Sequence, residues 1–142
     1  MRVATVITLL WGLMSAMAAQ AADVMSADVA RAAALEGEVV LVDIRTPEEW
    51  AATGVPDVAV PLNLHDKGFI EGLRALMADN PGKPLAMICA TGGRSSFATD
   101  ALEKQGVSVI NVVEGMMGSA AGPGWLKRSL PVRTPDAPVA TE

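Results

Sequence analysis

The sequence predicts an α/β domain with a mostly parallel central sheet flanked by helices. Three observations carry this. Val39-Val40-Leu41-Val42 and Pro84-Leu85-Ala86-Met87-Ile88 are unbroken apolar runs, the pattern of strands buried on both faces. Between them Phe69, Ile70, Leu73, Leu76 and Met77 recur at helical spacing. Strand and helix signals then keep alternating to the end of the domain.

In chain order, the first 21 residues read as an export signal. Met1-Arg2 is a short positive start, residues 3–19 carry no charge, and Ala19-Gln20-Ala21 places small residues at the −3 and −1 positions of a signal-peptidase site. Cleavage is expected after Ala21, with the protein exported to a bacterial periplasm and no longer membrane-attached. A retained anchor is the competing reading, but 17 residues that include Gly12 and Ser15 are short of the roughly 20 apolar residues a spanning helix needs. No Cys follows the run to take a lipid.

The domain is expected over residues 22–133. Ser26 is placed to cap a helix over 27–35, with Gly37 as its stop. The Val39–Val42 strand ends at Asp43. Thr46-Pro47-Glu48-Glu49 fits a capping box with proline at the first helical position, and Gly54 ends that helix after Thr53. A shorter strand covers 58–62, where Pro61 marks an edge or an end. The amphipathic helix stops at Asn80-Pro81-Gly82. After the strand at 84–88 and a loop, a helix is expected over 95–105 with Phe97, Ala98, Ala101 and Leu102 inward. A fourth strand spans 107–113. A Gly-rich stretch leads to a short helix around Trp125, and residues 134–142 read as a disordered tail.

Composition narrows the function. A length of 142 residues suits one domain. The net charge of −5, one unit more negative once Arg2 is removed, argues against nucleic acid, which demands a basic footprint. At 51% hydrophobic and 19% charged residues the chain is not intrinsically disordered. One Cys and one His exclude an intramolecular disulfide and a multi-Cys metal site, so neither a metal nor an organic cofactor is implied.

In parallel sheets, sites form at the carboxyl ends of strands. Two candidates fall there: Asp43-Ile44-Arg45, and Cys89-Ala90-Thr91-Gly92-Gly93-Arg94. The second joins a buried strand to a helix N-terminus through small residues. Such a loop turns several N–H groups toward one point, a nest for an anion. The helix terminus and Arg94 add positive potential. All three favour a thiolate on Cys89, and would equally stabilise a persulfide or an incoming oxyanion. The competing reading is a small buried hydrophobe closing the strand; a Gly-Gly-Arg loop has little packing purpose.

These residues carry a resemblance. Cys89-Ala90-Thr91-Gly92-Gly93-Arg94-Ser95 resembles the active-site loop of rhodanese (thiosulfate sulfurtransferase) domains. Val42-Asp43-Ile44-Arg45-Thr46-Pro47-Glu48-Glu49-Trp50 is similar to the family's Asp-x-Arg-x-x-x-Glu-aromatic segment. Asn111-Val112-Val113-Glu114-Gly115-Met116 is similar to its Asn-Val-x-Gly-Gly-Met stretch, and Trp125 and Leu130-Pro131-Val132 resemble its closing residues. The matches run in the family's order from about Ser26 to Val132. The resemblance implies a rhodanese-like fold and a two-step cycle in which Cys89 takes a sulfane sulfur, becomes a persulfide, and passes the sulfur to a thiophile. It implies that the amides of Ala90, Thr91, Gly92, Gly93 and Arg94 cradle the sulfur, that Arg94 helps hold an anionic donor such as thiosulfate, and that Asp43 and Arg45 brace the loop. An ordinary ion pair is the competing reading for the last two. The resemblance also implies a thiol or cyanide as the acceptor, with a protein acceptor as the further candidate. The chain departs from the family at Gly54-Val55-Pro56-Asp57-Val58-Ala59, where Gly-His-Ile-Pro-Gly-Ala is usual. It also departs in a longer stretch from Gly115 to Trp125, and lacks the Gly-Val-Thr ending of two-domain members.

Other readings are weaker. A cysteine phosphatase needs five residues between Cys and Arg; here there are four. A redox sensor lacks a resolving Cys. A non-catalytic persulfide carrier or binding module for another exported protein is the main alternative, with Gly115 to Gly124 as its docking loop. The plainer view of that stretch is a tight turn with two core methionines. His65 reads as a surface or capping residue rather than a base, and Trp50 and Trp125 as core or rim.

Overall fold

The computed structural model describes residues 23–141. The expected export signal, residues 1–21, lies outside the described residues. The chain order is β1 (Asp23–Met25), α1 (Ala27–Leu35), β2 (Val40–Asp43), α2 (Pro47–Thr53), β3 (Val55–Pro56), β4 (Val60–Pro61), α3 (Phe69–Asp79), β5 (Leu85–Ile88), α4 (Gly93–Glu103), β6 (Val109–Val112), α5 (Gly124–Lys127) and β7 (Val132–Arg133). The main sheet has the order β1-β6-β5-β2-β4 and every pairing in it is parallel. The α/β architecture is therefore the one expected. β5, which leads into Cys89, lies at the centre, registered with Leu41↔Ala86 on one side and Ala86↔Ile110 on the other.

The unbroken apolar runs do what their composition demands. Leu41, Val42, Leu85, Ala86, Met87 and Ile88 are all at most 1% exposed, because successive side chains enter opposite layers. Leu41, Ala86 and Ile88 pack with α1 and Trp125, while Val42, Leu85 and Met87 pack with Phe69 and Leu73 of α3 and Ala98 of α4. The capping box forms in full. Glu49 N–H donates to Thr46 Oγ1 (3.4 Å) and Thr46 N–H to Glu49 Oε2 (3.0 Å). β4 is a two-residue edge strand ending at Pro61, since proline has no N–H to extend a ladder.

The structure corrects several expectations. β1 adds an edge strand before Ser26, and β3 pairs antiparallel with β7 in a second, two-stranded sheet. Ser26 is the N-cap of α1 by position, but its side chain makes no capping bond to the backbone. In α3, Ile70 and Met77 are exposed. α4 starts at Gly93 and buries Ser95, Ala98 and Thr99, while Phe97 is 74% exposed. Its rotation is set by Ser95, which points at the cysteine; the Thr99 hydroxyl becomes buriable by donating to Ser95 O (2.9 Å). In the Gly-rich stretch only Met116 is in the core; Met117 is half exposed. Residues 134–141, expected as a disordered tail, contain no helix or strand, and Ala140 N–H donates to Asp57 O (2.8 Å).

Candidate active site

Cys89 follows the last residue of β5 and is 1% exposed. Two amides donate to its sulfur, Gly92 N–H at 3.2 Å and Ser95 N–H at 3.4 Å, and the Ser95 hydroxyl lies 3.3 Å from it and 3.2 Å from Gly92 O, so that on ionisation of the thiol its proton can turn from that carbonyl to the sulfur. The loop bends this tightly because Gly92 takes φ +89°, a conformation that side chains with a Cβ resist, and because its missing Cβ lets Val113 O approach. Burial pushes the Cys89 thiol up. The Ser95 hydroxyl and the amides of Ser95, Thr91 and Gly92 pull it down further, so the net shift is downward. The dipoles around the sulfur thus favour the thiolate form.

The stretch after β6 presets those dipoles. Met116 N–H donates to Cys89 O (2.9 Å) and Met117 N–H to Ala90 O (2.8 Å). The carbonyl and the N–H of a peptide plane point opposite ways. Drawing those two carbonyls outward turns the N–H groups of Ala90 and Thr91 inward. The stretch is itself latched by Glu114, 2% exposed, which accepts from Arg128 Nε (2.8 Å) and Nη2 (2.6 Å) and from Gly124 N–H (3.1 Å).

Arg94, expected in the loop before the helix, stands on the first turn of α4, and its guanidinium is occupied. Nη1 and Nη2 donate to the two carboxylate oxygens of Glu49 at 2.8 and 2.6 Å. Arg94 is therefore not a free cation for the thiolate. Glu49 was legible as a helix-capping residue and as the Glu of the Asp-x-Arg-x-x-x-Glu-aromatic segment, but not as the partner of Arg94. Ser95, the second residue that the sequence left without a role, closes the loop motif and touches the sulfur. The Arg94 guanidinium holds the Glu49 carboxyl down, from 4.5 to about 2, against burial and with help from the Thr46 amide. Its contribution to stability is present above the ordinary carboxylate value and is lost as pH falls toward 2. Both side chains are 31% exposed, so that contribution is small. An NMR titration of the Glu49 side chain is expected to give a midpoint near 2, moving up toward the ordinary value in Arg94→Gln. An ordinary midpoint in the wild type would show that the pair does not persist in solution.

Asp43 and Arg45 are 0% and 1% exposed and form a buried pair, with Arg45 Nε to Oδ1 at 2.9 Å and Nη2 to Oδ2 at 2.7 Å. Arg45 also donates to Thr53 Oγ1 (2.7 Å) and Gly54 O (2.8 Å). The pair thus fastens the far end of α2. It reaches the cysteine loop only through β2, where Ile44 N–H donates to Ile88 O (3.0 Å), and through Glu49 on α2. His65 is exposed. Trp125 is fully buried, with Nε1 donating to Pro131 O (2.9 Å). Among the described residues no group of three His, Cys, Asp or Glu could hold a metal ion.

Several known proteins are similar to this chain. An uncharacterized protein of Rickettsia prowazekii, RP600, is 27% identical over 104 residues, 68% of this chain and 85% of that one. The crystal structure of Rv0390 from M. tuberculosis superimposes with a TM-score of 0.61 at 26% identity, covering 81% of this chain and 99% of that one. The solution structure of a polysulfide-sulfur transferase homodimer from Wolinella succinogenes gives 0.60 at 29% identity, covering 79% of this chain and 78% of that one. The model of the rhodanese-like domain matches residues 26–121, a span that holds β2, β4, β5 and β6 and the cysteine loop, and the chain therefore belongs to the rhodanese-like domain family.

Proposed function

We propose that the protein is a sulfurtransferase that carries sulfane sulfur on Cys89. The observation that carries this is the cradle of the Gly92 and Ser95 amides and the Ser95 hydroxyl around the Cys89 sulfur at 3.2–3.4 Å. A thiolate stabilised by dipoles keeps its nucleophilicity and needs no general base. In the first step the thiolate attacks the outer sulfur of the donor, a new S–S bond forms, and the donor's own bond to that sulfur breaks. Thiosulfate would leave as sulfite, a persulfide as its parent thiolate. In the second step a thiophile, thiol or cyanide, attacks the outer sulfur and Cys89 leaves as thiolate. The N–H groups of Gly93 and Arg94 lie in the first turn of α4, where no i−4 carbonyl is available, and together with those of Ala90, Thr91 and Gly92 they serve the transferred sulfur.

The reading as a persulfide carrier for another exported protein has its own support. The sulfur is nearly closed off at 1% exposure, while Phe97, two residues beyond Ser95, is 74% exposed. Turnover with small thiols separates enzyme from carrier. The likeness to the Wolinella polysulfide-sulfur transferase supports sulfane sulfur as the cargo. The reading also places the protein in the periplasm after cleavage at Ala21, on the strength of the sequence signal alone.

Intact mass of the reduced protein after incubation with thiosulfate, or with an organic persulfide, tests the function. A species one sulfur atom heavier that cyanide converts back is expected. No loading from either donor would overturn the assignment.

A further inference from the structure

We propose a second binding site on this chain, for a small organic carboxylate, in the cavity between the end of α2 and β7. It stands apart from the sulfur chemistry. Among the described residues, three buried side-chain nitrogen or oxygen atoms lack a hydrogen-bond partner. One is an acceptor, Asn111 Oδ1 on β6. The other two, Trp50 Nε1 and Arg133 Nε, are both donors. Those two residues line the same cavity, of about 310 Å³, together with Ala51, Val132 and Pro135. No residue of the 89–95 loop borders it.

Both donors gave up water on folding without a replacement, which native folds rarely leave unexplained. Arg133 cannot relieve its Nε by turning over. Nη1 donates to Thr134 O (3.0 Å), Pro135 O (2.9 Å) and Ala137 O (2.6 Å), and Nη2 to Ala59 O, so the guanidinium is pinned in one orientation. Its charge is also unmatched, since it forms no ion pair among the described residues. Asp57 is taken by Arg31 and Glu49 by Arg94, and Asp136, three residues on, is exposed. The carbonyls at the end of α2, which would repel an anion, are occupied. Glu49 O accepts from Thr53 Oγ1 (3.1 Å), Trp50 O from Gly54 N–H (2.8 Å), and Gly54 O from Arg45 Nη2 (2.8 Å).

These features select the ligand. Two N–H donors and one unmatched positive charge call for a monoanion with two acceptor oxygens. A carboxylate meets both conditions, with one oxygen for the indole N–H and one for Arg133 Nε, and bonds to an ionised acceptor are the stronger kind. The Trp50 ring, Ala51, Val132 and Pro135 give the cavity apolar walls, so the carboxylate carries a hydrocarbon or aromatic body. The volume is at the small end of ligand sites, which limits that body to about one ring.

The test titrates the protein with benzoate, benzamide and sulfate and follows, by nitrogen-15 NMR, the indole signal that Trp50→Phe removes. Benzoate is expected to move that signal downfield and to saturate it, while the Trp125 indole, already bonded to Pro131 O, stays in place. Benzamide keeps the ring without the charge and sulfate the charge without the ring; each should bind about tenfold more weakly or worse. Arg133→Gln should weaken benzoate by about tenfold or more. Because Arg133 also fastens the tail, Trp50→Phe is the second variant. It deletes a donor with no partner in the free chain, so the fold should hold, and the Gly54 amide signal then reports a loss of affinity. Circular dichroism checks both folds. A Trp50 signal that benzoate leaves in place would overturn the proposal and leave water alone to serve these donors. Equal binding of benzamide or sulfate, or unchanged affinity in a folded variant, would overturn it as well.

Discussion

Cys89→Ser is expected to give a folded protein that takes up no sulfur from any donor. The hydroxyl fits where the thiol was, and the Gly92 and Ser95 amides and the Ser95 hydroxyl at 3.2–3.4 Å can satisfy it. No new buried polar group is left unpaired, so stability should be nearly unchanged. What is lost is the ionisation. The cradle that brings a thiol below its ordinary value cannot bring an alcohol within reach of neutral pH, and there is no base at hand to remove its proton. Intact mass with and without donor gives the answer directly. Ser95→Ala dissects the cradle. It removes the hydroxyl and leaves both amides, so the pH midpoint of Cys89 alkylation by iodoacetamide should rise relative to the wild type. The sign follows from the lost donor, which favoured the charged form. Sulfur uptake by Cys89→Ser would remove Cys89 from the chemistry, and an unchanged midpoint in Ser95→Ala would remove the hydroxyl from the cradle.

Local patterns made much of this legible. The β2 and β5 strands announce themselves because a strand covered on both faces has no reason to alternate, and the α2 cap because its bonds span three residues. What escaped was set by distant partners. β3 and β7 are two residues each, and pair Val55 with Arg133 across most of the chain; no local pattern encodes that. β1 carries exposed Val24 and follows the uncharged, largely apolar stretch 3–19 closely in sequence, so its edge role was masked. The inward face of α4 was misjudged because two of its buried residues, Ser95 and Thr99, are polar and apolar periodicity cannot find them. At the site, Cys89 and the glycines were readable as a loop. The Glu49–Arg94 pair was not, since 45 residues separate the partners and each had a sufficient local explanation.

Gly115→Ala is expected to be strongly destabilising because its methyl group strikes the backbone of the cysteine loop, and Gly82→Ala is its control. Both glycines have positive φ, +68° and +79°, so both substitutions incur the left-handed penalty of about 1–2 kcal/mol. They differ in surroundings. A Cβ at Gly82 meets nothing within 4 Å, whereas at Gly115 it runs into Ala90 O, with Ala90 C at 2.6 Å and Thr91 N at 2.7 Å. Those are backbone atoms of the cysteine loop and cannot rotate away. They must move as a peptide plane, against the Met116 and Met117 bonds that hold the Cys89 and Ala90 carbonyls. Overpacking of this kind adds about 1–3 kcal/mol to the conformational term, so urea denaturation should place Gly115→Ala about 2–5 kcal/mol below the wild type. The same displacement reorients the Thr91 amide, one of the groups that hold the thiol down. The alkylation midpoint of Cys89 should therefore rise in Gly115→Ala and stay put in Gly82→Ala. If the two variants lose equal stability and share the wild-type midpoint, the 115–117 stretch does not shape the cysteine loop. If Gly115→Ala is less stable but its midpoint is unchanged, the stretch supports the fold without tuning the nucleophile.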